Sequence, residues 1–327
     1  MTEAIFLAIA ERGIGDALTL LPSLRALRAA RPELGIELLT PALFPLADNL
    51  RDTAVVVDPR PLVGWGDEER LAWLRERNVL WVWNTESERG PWARLLQNSG
   101  RPTWVTAPRQ RTWGGKYVLR VRFEELRAFF PELGASGEIS LPLTAAQQAA
   151  RQAFRSGFPP DHLLVAIQPG AGDPKRVWPA EKFLALITEL VALPRVTVLV
   201  FLSGSEALFR VPGYLPDCRN LRWVSEPLDG VLPKLAACDL FIGNDSGFYH
   251  LAFALGLRVV GIYRSLQGAR RWSHRSPRSR RVFCRMPRQL HRDWTRWVSV
   301  QRVLRQARKL APELGRGHIG CSSVSQW

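Results

Sequence analysis

Short, almost unbroken apolar runs alternate along this chain with segments whose apolar residues recur every three or four positions. The run at 4–9 suits a strand covered on both faces, and it breaks at Arg12-Gly13-Ile14-Gly15-Asp16. Leu18, Leu21, Leu24 and Leu27 then keep helical spacing as far as Ala30, where Arg31-Pro32 closes the helix. Further strands are predicted at 36–40, 54–58, 79–83 and 101–106, with a helix at 71–77 feeding the strand at 79–83. From 108 to 141 the pattern blurs, as Arg109, Arg111, Lys116, Arg120 and Arg122 interleave with Trp113, Tyr117 and Phe123. A linker is placed at 134–143 and a helix at 144–154. The alternation then restarts, with strands at 163–168, 196–202, 221–224, 240–242 and 258–263 and a helix at 179–191. Strands alternating with helices imply parallel, doubly wound sheets. The expectation is an α/β chain of two Rossmann-like units, 1–143 and 144–298, followed by a C-terminal helix and a frayed tail at 299–327.

Length and composition fit that division. A chain of 327 residues exceeds the usual single core, and no apolar run approaches the roughly 18–20 residues that cross a bilayer. The N-terminal run is short and has no basic residues before it, so it is read as a first strand and not as a signal peptide. Cys218, Cys238, Cys284 and Cys321 lack metal-binding spacing, and their scatter points to a reducing, cytoplasmic setting. The net charge of +15 matters because of where it lies. Residues 1–150 carry 18 basic and 18 acidic side chains, 151–257 carry 10 and 10, and 258–327 carry 17 and 2, so the excess reads as a feature appended to a neutral body.

Three turns carry the candidate chemistry. In the first, Gly13 and Gly15 let the backbone bend and a substrate approach, and Asp16 stands at the carboxyl end of the first strand, either as a base or as a helix cap. The second runs from Gln168 to Pro179, where Gly170-Ala171-Gly172 is followed by Lys175 and Arg176 just ahead of a helix. Two cations at a helix N-terminus suit an anionic group, or are simply a solvated pair. In the third, Asn244-Asp245-Ser246-Gly247-Phe248-Tyr249-His250-Leu251 joins a buried strand to a helix. Ser246 and Gly247 would direct amides, and Asp245 a carboxylate, at a ligand, although Asp245 or Ser246 serves equally as a cap. His250 shares a face with Ser246 and either reaches the cleft or is a hydrogen-bonded structural residue. Neither glycine turn completes a dinucleotide fingerprint, which disfavours an NAD-dependent oxidoreductase.

Taken together, in order and at matching separations, these turns resemble glycosyltransferase family 9, the ADP-heptose:lipopolysaccharide heptosyltransferases. The resemblance rests on Arg12 to Leu18 with its continuation to Leu27, on the Pro-Gly-Ala turn with a basic residue two before Trp178-Pro179, on Asn244 to Leu251, and on the final helix at 298–304. It implies a GT-B architecture, two Rossmann-like domains facing a central cleft, the first binding the acceptor and the second the nucleotide sugar. It implies inverting, metal-independent transfer of a heptose-type sugar from a nucleotide-diphosphate donor, ADP-heptose by family, to a lipopolysaccharide-core or similar glycolipid acceptor, with no cofactor. By position, Asp16 is the general base, Arg176 replaces the family's phosphate-binding lysine with Lys175 beside it, Ser246 and Gly247 face the leaving diphosphate, Asp245 holds sugar hydroxyls, and Asp229 holds the ribose. The segment after Tyr263 departs from the family's Gly-Pro-Thr-like turn. A sugar-nucleotide or glycan-binding protein of the same fold is the non-catalytic alternative.

The basic segment at 264–296 holds ten arginines from Arg270 onward against one acid, Asp293, with Trp272, Phe283, Trp294 and Trp297 between them. Such a surface suits an anionic membrane and a phosphorylated glycolipid. No nucleic-acid-binding signature accompanies it, so nucleic acid is the disfavoured partner. The protein is therefore expected at the inner face of the cytoplasmic membrane, as a peripheral protein.

Overall fold

The computed structural model describes residues 4–85, 90–106, 115–202 and 219–315, and of 288–292 the backbone only. Arg109, Arg111, Trp113, Cys218, Cys321 and the tail from 316 onward lie outside the described residues. The first half comprises β1 (Ile5–Ile9), α1 (Ile14–Leu18), α2 (Leu21–Ala30), β2 (Gly35–Leu39), β3 (Val55–Val57), α3 (Asp67–Glu76), β4 (Val79–Asn84), α4 (Pro91–Asn98), β5 (Trp104–Thr106) and α5 (Val118–Arg127). The second comprises α6 (Ala145–Ser156), β6 (Leu163–Gln168), α7 (Ala180–Val191), β7 (Val196–Phe201), β8 (Leu221–Val224), α8 (Leu228–Ala236), β9 (Leu240–Asn244), α9 (Gly247–Ala254), β10 (Arg258–Tyr263), α10 (Leu266–Trp272), β11 (Ser279–Phe283) and α11 (Val300–Leu310).

Both sheets are parallel, in the orders β3-β2-β1-β4-β5 and β11-β10-β9-β6-β7-β8. Strand order reverses beside β1 in the first sheet and between β6 and β9 in the second. Ligands of open α/β sheets sit outside the carboxyl ends of the strands at such reversals. The three turns singled out in the sequence leave the carboxyl ends of β1, β6 and β9, so topology alone brings them to the two reversal points. Crossover helices cover both faces, which is why β6 and β9 are apolar along nearly their whole length and fully buried.

The halves are packed together as well as linked. α1 lies against α9, and one continuous apolar cluster contains Phe6, Leu21 and Leu24 of the first half with Leu164, Phe241 and Tyr249 of the second. At the crossing between the sheets, Thr144 and Gln147 form a reciprocal cap on α6, and Gln147 Nε2 reaches back to Asn49 Oδ1 at 3.2 Å. No helix among the described residues is long and apolar enough to cross a membrane.

Several elements differ from expectation for local reasons. The helix expected through Leu18 to Ala30 is broken between α1 and α2, where the Thr19 hydroxyl donates to the Asp16 carbonyl at 2.6 Å. The blurred stretch contains α5, whose inward face carries Arg122, only 2% exposed and paired with Glu125 Oε2 at 3.0 Å; a cation on the buried face erases the apolar period. The basic segment is not an appendage. It supplies α10 and the edge strand β11, whose Arg280 and Arg281 obscure the strand pattern and suit an edge. Arg278 caps the carbonyls of Phe253 and Leu257 while its guanidinium lies 4.4 Å from the Phe253 ring centre. Ser299 caps α11 by accepting from the Arg302 amide, and the helix runs on to Leu310, past the expected 304.

Candidate active site

A cavity of about 580 Å³ opens between the halves, within the range of sites for small ligands. Gly13, Gly15 and Asp16 line it from the first half, with Arg12 and Ile14. From the second half come Arg176, Asp245, Ser246, Gly247 and His250, joined by Gly172, Asp173, Tyr263, Arg264, Ser265, Gly268 and Trp272. Eight of the ten residues expected at the site therefore meet in one space. The other two do not line it. Lys175 is exposed in the turn at Pro174–Arg176, its backbone N–H donating to Asp173 Oδ1 at 3.0 Å, and Asp229 is exposed in the first turn of α8, beyond the carboxyl end of β8.

Close packing of the turns explains one glycine and not the other. A Cβ on Gly15 would stand 2.7 Å from His250 Cδ2 and 3.4 Å from Gly247 Cα, so only glycine lets α1 approach α9. A Cβ on Gly13 meets nothing within 4 Å, and its φ of −171° is ordinary extended backbone, so the tight bend expected there is not what Gly13 provides. Asn244, buried at the end of β9, fastens the second turn to the third. Its Oδ1 accepts from the Trp178 amide at 3.0 Å and its Nδ2 donates to the Pro169 carbonyl at 2.6 Å. Trp178 is fully buried, with Nε1 donating to the Val298 carbonyl at 3.0 Å; it packs the core and cannot stack on a ligand.

Neither acidic residue is spent as a cap. Gly13 occupies the N-cap of α1, with Asp16 in its first turn. Ser246 occupies the N-cap of α9, yet its hydroxyl pairs with the Gln168 side-chain amide at 3.2 Å and makes no capping bond. The N-terminus of α9 is thus left with its amides toward the cavity, a favourable setting for an anion. Burial raises the Asp16 carboxyl above its ordinary value, opposed by the charges of Arg122, Arg12 and Arg176. Burial pushes Asp245 up to about 6, against the pull of Arg176, whose Nη1 lies 3.6 Å from Asp245 Oδ2; the charge on Asp16 adds to the rise. His250 is pushed down to about 3 by burial and then by Arg176, so it is neutral at physiological pH. Among the described residues no group of three His, Cys, Asp or Glu side chains is arranged to hold a metal ion.

Residues 124–275 match the family described as glycosyltransferase family 9 (heptosyltransferase). The chain carries a family 9 glycosyltransferase domain. The match includes the Pro-Gly-Ala turn and the run from Asn244 to Leu251, and begins well after the turn bearing Asp16. Solved structures extend the likeness of fold over the whole chain. The Veillonella parvula glycosyl transferase family 9 protein superposes with a TM-score of 0.75 at 16% identity, covering 96% of this chain and 98% of that one. E. coli ADP-heptose lipopolysaccharide heptosyltransferase II gives 0.70 at 18% identity, over 96% and 99%. E. coli heptosyltransferase WaaC, solved with ADP-2-deoxy-2-fluoro heptose, gives 0.59 at 16% identity, over 94% and 100%. No curated protein sequence matches the chain. The chain thus has two Rossmann-like halves in the GT-B arrangement of these structures, with its cavity at their seam.

Sequence reasoning missed Arg264 and Ser265 as parts of this cavity, having treated the segment after Tyr263 only as a departure from the family. The signal was available, because both residues follow directly on the carboxyl end of β10, where the parallel sheet places its ligands.

Proposed function

We propose that this glycosyltransferase moves a heptose-type sugar from an ADP-linked donor to a lipopolysaccharide-core or similar glycolipid acceptor, with inversion and without a metal ion. The observation that carries the reading is the meeting of Asp16 with Arg176, Asp245 and the N-terminus of α9 across one cavity. Asp16 takes the proton from the acceptor hydroxyl as that oxygen bonds to the anomeric carbon. The bond from that carbon to the diphosphate oxygen breaks on the opposite face, and the electron pair leaves with the diphosphate. Arg176 and the amides of Ser246 and Gly247 meet the charge that develops there, in place of a cation. Asp245 orients sugar hydroxyls. A nucleotide running from the cavity along the carboxyl ends of β6, β7 and β8 brings its ribose to Asp229, with Lys175 at the solvent margin.

Arg270, Arg275, Arg281, Arg285 and Arg296 are exposed, as is Trp297 at 44%, and we assign these side chains to contact with an anionic membrane at its cytoplasmic side. The donor is tested by thermal shift, since a ligand at a hundred times its Kd stabilises the folded state by about 2.7 kcal/mol. ADP-heptose is expected to raise Tm well above any effect of UDP-sugars, and the paired assay is transfer to heptose-free lipopolysaccharide with and without EDTA. Equal shifts from both nucleotide classes would remove the ADP assignment, and loss of turnover in EDTA the metal independence.

A further inference from the structure

A chain of hydrogen bonds runs away from the cavity and crosses the seam between the halves. His250 Nδ1 lies 3.1 Å from His274 Nε2, and His274 Nδ1 lies 3.1 Å from the hydroxyl of Tyr117. Tyr117 precedes α5 in the first half, whereas His250 is on α9 and His274 follows α10 in the second. Both imidazoles are buried, and His274 is further fixed by stacking between Tyr249 and Phe253, at ring-centre distances of 5.2 and 4.0 Å. The far nitrogen of His250, Nε2, has no protein partner among the described residues and borders the cavity, 3.5 Å from where a Gly15 Cβ would stand.

The direction of the chain follows from the chemistry of its outer end. Burial raises the Tyr117 hydroxyl, which keeps its proton, and His274 Nδ1 is the ring nitrogen within hydrogen-bond reach of it. That oxygen therefore gives its own hydrogen to His274 Nδ1. Burial also pushes His274 well below its ordinary value, so with His250 it forms a pair of neutral rings, each with a single N–H. If His274 Nδ1 accepts, its proton is on Nε2 and is donated to His250 Nδ1, and the proton of His250 is then on Nε2, toward the cavity.

We propose that Tyr117 and His274 are positioning residues that hold His250 as the Nε2–H form, presenting an uncharged hydrogen-bond donor to an oxygen of the bound sugar nucleotide. The role of that donor rests on the transferase reading above; the proton positions do not. An uncharged ring gives a directed N–H without setting a cation beside Asp16, whose basicity an imidazolium would lower. The opposite form would turn a lone pair toward the oxygen-rich donor.

The test is long-range ¹H–¹⁵N correlation of the imidazole nitrogens in the full chain, labelled at histidine, at pH 7. The sequence has five histidines, so single substitutions assign the signals. His250 and His274 are both expected to show a protonated Nε2 and a bare Nδ1. Tyr117→Phe removes the anchor and is expected to give both rings a mixture of forms, with kcat for ADP-heptose falling about fivefold, the ratio set by one ordinary hydrogen bond, and KM changing less than twofold. His250→Gln, which keeps an N–H near the Nε2 position, should retain more turnover than His250→Asn. A protonated Nδ1 or a charged ring at His250 in the native chain overturns the proposal, as does a Tyr117→Phe spectrum identical to the native one. A native chain with the expected nitrogens but no transfer from ADP-heptose supports the positioning and counts against the transferase reading.

Discussion

Replacing Asp16 by Asn keeps the volume and the hydrogen-bonding shape of the side chain and removes its capacity to take a proton. A positioned general base is worth about 10²–10⁴ in rate, or about 2.7–5.4 kcal/mol at 1.36 kcal/mol per decade, and kcat is expected to fall by that factor. Donor binding should change little, because we assign the anionic groups of the donor to Arg176 and α9. Stability moves the other way. Burial outweighs the three arginines and raises the folded-state carboxyl above the 3.8 of an unfolded aspartate. Asp16 therefore favours the folded state most fully below 3.8 and loses that contribution as pH rises through its folded value. The Asn variant lacks this loss, so its Tm should equal or exceed that of the native chain at pH 8, with a smaller advantage at pH 4. The assays are turnover of ADP-heptose, calorimetry with ADP, and thermal melts at both pH values. A variant within tenfold of native turnover would refute Asp16 as base, and a melt below native at pH 8 would refute the account of its burial.

Three further outcomes follow from the same geometry. Arg176→Met should weaken ADP binding about 10–100-fold, the range of hydrogen bonds to a charged group, and a calorimetric change under threefold removes Arg176 from the diphosphate. Gly15→Ala should destabilise by about 1–3 kcal/mol through its collision with His250, whereas Gly13→Ala should be nearly neutral; denaturant melts in which the two behave alike contradict the packing of α1 on α9. Asp245→Asn should stabilise the chain at pH 8 and not at pH 3.5, because a carboxyl displaced from 3.8 to about 6 loses up to about 3 kcal/mol of folded-state preference across that window; a gain that does not depend on pH counts against it.

The two sheets were legible because their strands are buried on both faces, and burial writes itself into the sequence as unbroken apolar runs. All ten predicted strands form, displaced by at most three residues at their ends. What escaped was whatever satisfies its charge in the fold. α5 carries a buried Arg122–Glu125 pair where a core helix would show apolar residues, and β11 carries arginines at a sheet edge. The turns after β1, β6 and β9 were found because glycine, asparagine and aspartate cluster there. The chain from His250 through His274 to Tyr117 was not, since it joins residues far apart in sequence, from both halves, and although His250 stood out in its turn nothing local marked its partners. The basic segment was read as an appended feature because charge was counted without its partners, among them the backbone carbonyls that Arg278 and Arg280 reach.

Two carboxylates share the cavity, and their surroundings divide the labour between them. Environments that separate two titratable groups commonly mark distinct roles in a reaction. Asp245 is the more enclosed, and its guanidinium partner stands at 3.6 Å, beyond tight hydrogen-bond range, while the same Arg176 lies 4.0 Å from Asp173. A cation held so loosely between two carboxylates can turn to a diphosphate without first breaking a strong bond. Once it does, Asp245 loses its main stabilising charge beside a new anion, and a carboxyl already near 6 moves further toward its protonated form. Protonated, Asp245 can donate to a sugar oxygen but cannot remove a proton. Asp16 keeps Arg12 and Arg122 whatever Arg176 does, so it is the carboxyl whose opposing cations do not depend on Arg176. A base must keep its charge when substrate binds, and the placement of Arg12 and Arg122 beside Asp16 is what favours it over Asp245 for the role we propose.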